Sequence, residues 1–380
     1  MTLRTRRRHR ARRRRYRLRW KGPGCLLVVA VVVCGLLGTA LVWSLHSGGR
    51  PTSSGQTGTA WFRLPWTGPK TTGPDKVPAP PVSIYTGREV SPEVYRRRPL
   101  AAMIDNLAAA RPQSGLDKAD MVYEVLAEGG ITRFFALFQG DADVVGPVRS
   151  VRHYFLDLVM EHEAILVHCG QSPQAEADIP ALKINNINEL SGTQGKYFWR
   201  SKDRQAPHNL YTSTAQLRQA AAQSGYAANL SAATPAPIFR RGTMPASAAA
   251  ATDITIKYPD SYLHYQVQYQ YANGVYLRFS EGKPHAAAPG GKQLTADSVL
   301  VQYVPAKPIP NDPALRIDVF FVGQGKATLF AGGKTVEATW KKESRSARTE
   351  FYDAEGKRLT VPPGRTWVMV VPPETSVIAK

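Results

Sequence analysis

Cysteine is scarce in this chain of 380 residues, which contains only Cys25, Cys34 and Cys169. The first two lie in a long apolar stretch near the N-terminus, so the remainder of the chain keeps Cys169 alone. No intramolecular disulfide can form there. The folded part must therefore rest on its hydrophobic core, and the roughly 290 residues that follow position 81 are enough to bury one.

Several motifs of common enzyme classes are also missing. The sequence contains no Gly-x-Ser-x-Gly elbow, no His-Glu-x-x-His or paired-cysteine spacing, and no phosphate-loop or dinucleotide fingerprint. A serine hydrolase of the elbow type, a zinc site and a nucleotide-binding domain thus have no motif support. We predict no cofactor and no bound metal.

Acidic residues are absent from the basic run Arg4–Lys21, which holds twelve Arg or Lys residues and is followed by the uncharged stretch Cys25–Leu45. As a helix this stretch would measure about 31 Å, the thickness of a bilayer core. The pattern predicts a basic cytoplasmic tail (1–24), a single-pass transmembrane helix (25–45) and an extracytoplasmic remainder, because positive residues stay inside. Cleavage near Thr39–Ala40 is the alternative.

The formal net charge of +20 raises the question of nucleic-acid binding. Without the twelve charges of the basic run, 37 basic and 29 acidic residues remain. The remaining chain is only mildly basic and lacks the concentrated positive charge of a nucleic-acid-binding protein, so we expect no nucleic-acid partner. A tail that serves as a nucleic-acid or cytoplasmic-partner module is a separate alternative, which deletion of residues 1–20 would test.

Composition divides the rest of the chain into three parts. Residues 46–81 are rich in Gly, Ser, Thr and Pro and predict a flexible linker. Strand-like and helix-like patterns alternate over 82–234 and predict a mixed α/β domain, with helices over Ser150–His162, Pro173–Leu182 and Thr214–Ser224. The pattern of residues 235–380 predicts strands almost throughout, arranged in a small sandwich or barrel. The predicted fold class is α+β with an N-terminal transmembrane helix.

Two hairpins carry the clearest turn signals. Asn273–Gly274 predicts a two-residue turn in the second domain, and Gly129–Gly130 predicts one in the first. The second turn would place Leu126 opposite Arg133, and Glu124, Glu128 and Arg133 on one side of the ribbon.

An anion pocket around Gly146–Arg152 is the best-supported candidate site. Arg149 and Arg152 would fall at the start of the predicted helix, where cations are unfavourable unless an anion lies there. Arg111 and Arg133 could join them, held by Glu124 or Glu128. The alternative is an internal Arg–Glu network that binds nothing.

Two histidines suggest acid/base chemistry. His168 ends the apolar strand Ala164–Cys169, and ligands collect at the carboxyl ends of parallel strands. His208 lies in a polar loop beside Asn209 and Tyr211. With Asp105 these histidines are candidate catalytic residues, although a loop histidine is more often structural.

Five segments resemble the YerB-like family of bacterial envelope proteins. They are Met103–Asn106 with Ala110–Leu116, Ala119–Arg133, Gly146–Arg152, Ala206–Tyr211 and Pro284–His285. The resemblance covers roughly residues 85–380. It implies an exported location and N- and C-terminal domains of unknown function, often with a lipid anchor, and it supplies no reaction.

The sequence therefore predicts a membrane-anchored extracytoplasmic protein of the cell envelope that binds an anionic, wall-derived ligand or an envelope partner protein. The alternative is an envelope hydrolase or transferase that uses Asp105, His168 and His208. The residues predicted to bind the ligand are Asp105, Asn106, Arg111, Glu124, Glu128, Arg133, Arg149, Ser150, Arg152, His168, His208, Asn209 and Tyr211.

Overall fold

Strands outweigh helices in the computed structural model of the protein, which describes residues 79–232, 236–259 and 265–380. The content is 40% strand and 14% helix. The α-helices of these ranges are five to ten residues long: α1 (Pro92–Arg96), α2 (Phe155–Glu161), α3 (Pro173–Ala181) and α4 (Thr214–Gln223). Short 3-10 turns cover Ala108–Ala110, Glu128–Gly130 and Gly195–Tyr197.

The strands of the described residues are two to nine residues long. In chain order they are β1 (Leu100–Asp105), β2 (Gln113–Ser114), β3 (Met121–Leu126), β4 (Thr132–Phe138), β5 (Ile165–His168), β6 (Asn186–Asn188), β7 (Trp199–Arg200), β8 (Leu210–Tyr211), β9 (Arg240–Arg241), β10 (Ala249–Ala250), β11 (Asp253–Lys257), β12 (Gln266–Ala272), β13 (Val275–Ser280), β14 (Lys283–Pro284), β15 (Ala287–Ala288), β16 (Thr295–Ala296), β17 (Ser298–Tyr303), β18 (Ala306–Pro308), β19 (Ile317–Val319), β20 (Gly323–Ala331), β21 (Lys334–Lys342), β22 (Glu350–Tyr352), β23 (Thr360–Val361), β24 (Thr366–Val371) and β25 (Ser376–Ala379).

One eleven-stranded mixed sheet runs through both halves of the sequence. Its order is β10-β21-β20-β17-β24-β3-β4-β1-β5-β6, with β22 beside β21. The two halves meet where β24 pairs in parallel with β3. Every residue of β1, β3, β4 and β24 is buried, as expected of strands that are covered on both faces of the sheet.

A second, six-stranded sheet is made by the second half alone, in the order β14-β13-β12-β11-β25 with β16 beside β13. Its strands alternate between buried and partly exposed positions, as expected of a sheet with one face on the core. The predicted hairpin is confirmed: Ala272 pairs with Val275, and Asn273 and Gly274 both have positive φ.

The predicted fold class, an α+β protein with a mixed α/β first domain, is wrong, because the protein is mostly β. The helices of the first half are too short to form a layer, and its strands extend a sheet shared with the second half. The second half is mostly strand, as predicted, and contributes strands both to the shared sheet and to the six-stranded sheet. The predicted domain boundary near residue 235 stays a prediction.

The predicted transmembrane helix at Cys25–Leu45, the basic tail and nearly all of the linker lie outside the described residues. Within the described ranges, no helix combines the length and apolar character needed to cross a bilayer.

The helix predicted over Ser150–His162 begins later, at Phe155. The preceding segment is extended: Val151 N donates to Gly170 O, and Ser172 N donates to Val151 O. These strand-like bonds satisfy the backbone groups that a longer helix would otherwise use. By contrast, the start of α4 is as predicted, because Ser213 caps it by accepting from the backbone N–H of Gln216.

The predicted register of the first-domain hairpin is wrong by one residue. The turn is a 3-10 turn over Glu128–Gly130, so Leu126 pairs with Thr132 and Val125 pairs with Arg133. A one-residue change of register moves side chains to the other face of the sheet. Glu124 and Arg133 therefore lie on opposite faces.

On one of these faces, Glu124 forms a fully buried ion pair with Arg278 of β13. Its Oε2 accepts from Arg278 Nη2 at 2.6 Å, and both side chains have zero exposure. Its Oε1 accepts from Asn106 Nδ2 at 3.1 Å and from Thr132 Oγ1 at 2.7 Å. The guanidinium also lies over the Trp367 ring, 4.5 Å from its centroid. These contacts join residues 100–140 to residues 265–371.

A neutral histidine extends this cluster. His285 Nδ1 accepts from Arg278 Nε at 3.1 Å, so its Nε2–H donates to Gln113 Oε1 at 2.8 Å. Burial, together with the positive charges of Arg278 and Arg111, lowers the pKa of His285 well below its usual value, which agrees with a neutral ring.

Replacing Arg278 with Met is expected to cost about 3–5 kcal/mol of unfolding free energy, because it leaves the Glu124 carboxylate buried without a partner. The double variant Glu124→Leu/Arg278→Met should lose less than the single one. Urea unfolding measures both. The matched control is Arg358→Met, which breaks the exposed pair with Glu350 and should cost less than about 1 kcal/mol. Equal costs for Arg278→Met and the control would contradict the role given to the buried pair.

Candidate functional site

The candidate site lies at the carboxyl ends of three parallel strands. Asp105 ends β1, His168 ends β5 and Asn188 ends β6, and both strand pairs are parallel. The carboxyl ends of such strands share one edge of a sheet, where ligands commonly bind.

The segment 146–152 is inserted between β1 and β5 at this edge. β1 and β5 pair only as far as Ala102 and Val167. Beyond that point Arg149 N donates to Met103 O at 2.9 Å, and Arg149 O accepts from Cys169 N at 3.1 Å. Arg149 is therefore fixed by backbone bonds on both sides.

Asp105 is the centre of the site. Its side chain is 1% exposed, and its Oδ2 lies 2.7 Å from His208 Nδ1 and 3.1 Å from Arg149 Nε. Its Oδ1 accepts from the backbone N–H of Leu107 at 3.0 Å. One buried carboxylate thus orients both an arginine and a histidine.

The outward atoms of these two side chains remain available. Arg149 and His208 are about one-fifth exposed, and within residues 79–232, 236–259 and 265–380 neither the Nη atoms of Arg149 nor His208 Nε2 has a hydrogen-bond partner. Up to five N–H donors can therefore face a ligand, depending on the tautomer of His208.

A second carboxylate, Glu128, holds two more arginines. Its Oε1 lies 2.8 Å from Arg133 Nη2 and 2.7 Å from Arg152 Nη2, and its Oε2 accepts from Arg152 Nε at 2.8 Å. Arg133 Nη1 also donates to Ser150 O at 2.6 Å. Burial alone would raise the pKa of Glu128, but the charges of Arg133 and Arg152 outweigh it and lower this pKa to about 2.

We call Asp105, Glu128, Arg133, Arg149, Arg152 and His208 the edge cluster. Its three guanidinium groups face two carboxylates, so one positive charge is left over even when His208 is neutral. The cluster is therefore suited electrostatically to an anion.

Three of the predicted ligand-binding residues lie on the other face of the sheet. Asn106 follows Asp105 directly, and successive side chains of a strand point to opposite faces. Asn106 thus joins Glu124, and its Oδ1 accepts from Arg111 Nε at 3.2 Å. Arg111 also pairs with Glu281, at 2.5 Å, beside a cleft of about 520 Å³. Strand alternation could have separated Asn106 from Asp105 in the sequence, whereas the faces of Glu124 and Arg133 depended on the register of β3 and β4.

His168 is placed differently from His208. It has zero exposure, and its Nδ1 and Nε2 lie 2.9 Å from Gly170 O and 3.1 Å from Asn186 Oδ1. Burial lowers its pKa. With both ring nitrogens engaged inside the protein, His168 is placed to stabilise the end of β5 rather than to contact a substrate.

Two side chains near His168 that carry a thiol or a hydroxyl, Cys169 and Ser150, also make hydrogen bonds within the protein. Cys169 Sγ donates to Glu189 Oε2 at 3.1 Å, and burial, with Glu189, raises the pKa of this thiol to about 11. Ser150 Oγ donates to Cys169 O at 2.8 Å. At neutral pH the thiol is therefore protonated and poorly nucleophilic.

Asn209 and Tyr211 support the hairpin of β7 and β8 next to the site. Asn209 Nδ2 donates to Ser201 O and Arg204 O, and its Oδ1 accepts from Arg200 Nη1 at 3.0 Å. Tyr211 pairs with Trp199 across the hairpin. Sequence reasoning missed Trp199 and Arg200, because two-residue strands leave no periodic signal.

A metal site is not evident in the part of the chain that the structure describes, where no three His, Cys, Asp or Glu side chains are grouped to hold an ion. Ligand binding at the thirteen predicted residues stays a prediction.

Comparison with known proteins gives two family matches and one close relative. Residues 85–227 match the model described as "Protein of unknown function (DUF3048) N-terminal domain", and residues 254–368 match the corresponding C-terminal domain. The chain is 35% identical over 292 residues to the Bacillus subtilis (strain 168) protein named "Putative lipoprotein YerB", covering 76% of this chain and 85% of that protein.

A crystal structure of the YerB protein from Bacillus subtilis is also similar. It superposes with a TM-score of 0.71 at 33% identity, covering 78% of this chain and 99% of that chain. These matches confirm the resemblance to the YerB-like family that the sequence motifs indicated.

Replacing Glu128 with Gln is expected to cost stability at neutral pH and progressively less as the pH falls. The lowered pKa means that the Glu128 carboxylate stabilises the fold fully above pH 4.5, and that this contribution is lost as the pH falls from 4.5 toward about 2. The shift corresponds to at most about 3 kcal/mol.

Urea unfolding of both proteins between pH 7 and pH 3 measures the difference. The control is Glu350→Gln, which removes an exposed carboxylate from its pair with Arg358 and should change stability little. A cost of Glu128→Gln that is the same at pH 7 and pH 3 would show that the carboxylate charge contributes nothing.

Proposed function

We propose that this chain, which belongs to the DUF3048 family of proteins of unknown function, is an envelope-associated bacterial protein that binds an anionic ligand through its edge cluster. The envelope location is supported by the name of the Bacillus subtilis relative, "Putative lipoprotein YerB", which aligns with most of this chain. The binding activity is supported by the geometry of Arg149 and His208.

The single observation that carries the proposal is the pair of free donor groups held by Asp105. Its Oδ2 is hydrogen-bonded to His208 Nδ1 and forms an ion pair with Arg149, 3.1 Å from an Nε that makes no hydrogen bond. Among the described residues, the Arg149 Nη atoms and His208 Nε2 have no hydrogen-bond partner. A cation fixed in this way loses little side-chain freedom when an anion binds. Two guanidinium N–H groups match the geometry of a carboxylate or phosphate.

The two interpretations left open by the sequence apply to different parts of the cluster. Glu128, Arg133 and Arg152 bond to one another and to the backbone, with Arg133 Nε left without a partner, so they form the internal network that stiffens the edge. Arg149 and His208 are not satisfied in this way. The ligand is therefore expected on Arg149 and His208, with the network behind them as support.

The anion that this surface meets outside the cytoplasm is a carboxylate or phosphate of a wall polymer, or an acidic group of an envelope partner protein. We favour the wall polymer, because the site offers a few donors on two side chains, which suits a small charged group better than a broad protein surface.

An envelope hydrolase or transferase is the second candidate, and the Asp105–His208 pair favours it. A buried carboxylate 2.7 Å from Nδ1 orients an imidazole whose Nε2 can exchange a proton with a substrate or a water. The third member of the predicted set, His168, does not contribute, because both of its nitrogens are bonded internally.

Purified wall fragments are expected to bind the protein saturably and more weakly as the salt concentration rises. Arg149→Ala should weaken this binding by about tenfold or more, since charge-assisted hydrogen bonds are lost, and Arg149→Lys should fall between the two. Isothermal titration measures the affinity. The control Arg358→Ala removes an arginine of another exposed ion pair and should leave the affinity unchanged. Equally poor binding by the wild type and Arg149→Ala would refute the proposal.

His208→Ala separates binding from catalysis. On the binding proposal the wild type releases no fragments from purified wall, and His208→Ala weakens binding with little change in the melting temperature, because His208 is partly exposed. Release of reducing ends or free amines by the wild type, lost in His208→Ala with the fold intact, would favour the enzyme instead. Unfolding of His208→Ala would make the residue structural and remove it from both proposals.

A further inference from the structure

We infer that the anionic ligand is a saccharide, with its charged group on Arg149 and His208 and its sugar ring packed on Trp199. This inference rests on the proposed function and adds the chemical class of the ligand. The inference comes from an aromatic side chain that lies outside the edge cluster.

Trp199 presents an indole ring at the surface of the β7–β8 hairpin. It is 38% exposed, and its ring lies 6.4 Å from that of Tyr211 in a nearly parallel stack of 26°. Tyr211 is buried and lies close to Gly146, where an added Cβ would be 2.9 Å from Tyr211 Cδ1. The segment that carries Arg149 therefore supports Tyr211, and Tyr211 supports Trp199.

The hairpin that carries Trp199 is tied down at both ends. Thr212 Oγ1 donates to Tyr197 O at 2.8 Å, and Ser201 N donates to Asn209 O at 2.8 Å. Arg200 reaches from the hairpin to Glu189 at 3.3 Å, which joins it to the residue that follows β6. The exposed indole is thus held on a rigid support, as a binding platform requires.

Trp199 and the free donors are close enough for one ligand. His208 precedes Tyr211 by three residues, at most about 10 Å along the chain. Trp199 pairs with Tyr211 across the hairpin, which adds about 5 Å. A short oligosaccharide spans this distance, whereas an isolated carboxylate or phosphate contacts only the charged end.

The chemistry of the two ends is complementary to a charged sugar. The C–H groups on one face of a pyranose ring form an apolar surface of slightly positive potential, which packs on the negative π face of an indole. A carboxylate or phosphate on the same sugar accepts from the Arg149 guanidinium. A free anion lacks the first contact and a neutral sugar lacks the second.

Four probes separate these contributions in isothermal titrations with the full chain. The disaccharide of N-acetylglucosamine and N-acetylmuramic acid carries rings and a lactyl carboxylate, and N-acetylglucosamine 1-phosphate carries a ring and a phosphate. Chitobiose has the rings without the charge, and lactate has the charge without the ring. A preference for the carboxylated or the phosphorylated sugar identifies the source of the charge, and tight binding of either supports the inference.

The wild type is expected to bind a charged sugar more tightly than chitobiose or lactate. Trp199→Ala should weaken binding of the charged sugar by about twofold to tenfold and leave lactate binding unchanged. Arg149→Ala should weaken both. The matched control is Phe320→Ala, which removes another exposed aromatic ring, 44% exposed, and should change neither.

If Trp199→Ala folds poorly, Trp199→Phe provides the second test. This variant keeps an aromatic ring, so its affinity for the charged sugar should be close to that of the wild type. The change in tryptophan fluorescence that the sugar causes should disappear. Unchanged affinity of Trp199→Ala for the charged sugar, with Arg149→Ala impaired, would overturn the saccharide and leave the anion site standing. Absence of any Arg149-dependent binding would overturn the proposed function itself.

Discussion

The buried pair of Glu124 and Arg278 is the interaction on which the rest of the structure depends. Two charges without water are costly unless every polar atom around them has a partner. Here Asn106 and Thr132 satisfy the carboxylate, and His285 and the face of Trp367 complete the surroundings of the guanidinium. Because Glu124 lies in the first half of the chain and Arg278 in the second, the requirement for partners fixes the two halves against each other.

The same strands that carry this pair also position the candidate site, on their opposite face. Arg133 of β4 and Asp105 of β1 are directly opposite each other in the sheet, on the face away from Glu124. The sheet thus has one side that is closed by internal contacts and one edge where donors remain free. The buried contacts on the first side hold the strands that carry Asp105, and Asp105 in turn contacts Arg149 and His208.

Residue types alone identified part of the candidate site, but not the physical reason for its arrangement. Arg133, Arg149, Arg152 and His208 were singled out from local sequence, and the structure brings them to one edge around Asp105 and Glu128. The physical reason given for Arg149 and Arg152, a helix beginning at Ser150, does not hold, because that segment is extended between β1 and β5. Sequence reasoning also grouped Asn106, Arg111 and Glu124 with this site, and the alternation of a strand separates them.

The sequence by itself determined the features that depend on neighbouring residues. These include the Asn273–Gly274 turn, the Ser213 cap of α4, the buried parallel strand at Ile165–His168 and the family motifs. The tertiary structure alone decided the parallel pairing of β24 with β3 and the contact of Arg278 with Glu124. It also decided the register of β3 and β4, where a 3-10 turn replaces the two-residue turn, and the pairing of Trp199 with Tyr211. Turns and caps are short-range hydrogen bonds that a few residues specify. Pairings across more than a hundred residues are chosen by competition among many buried surfaces, which no local pattern records.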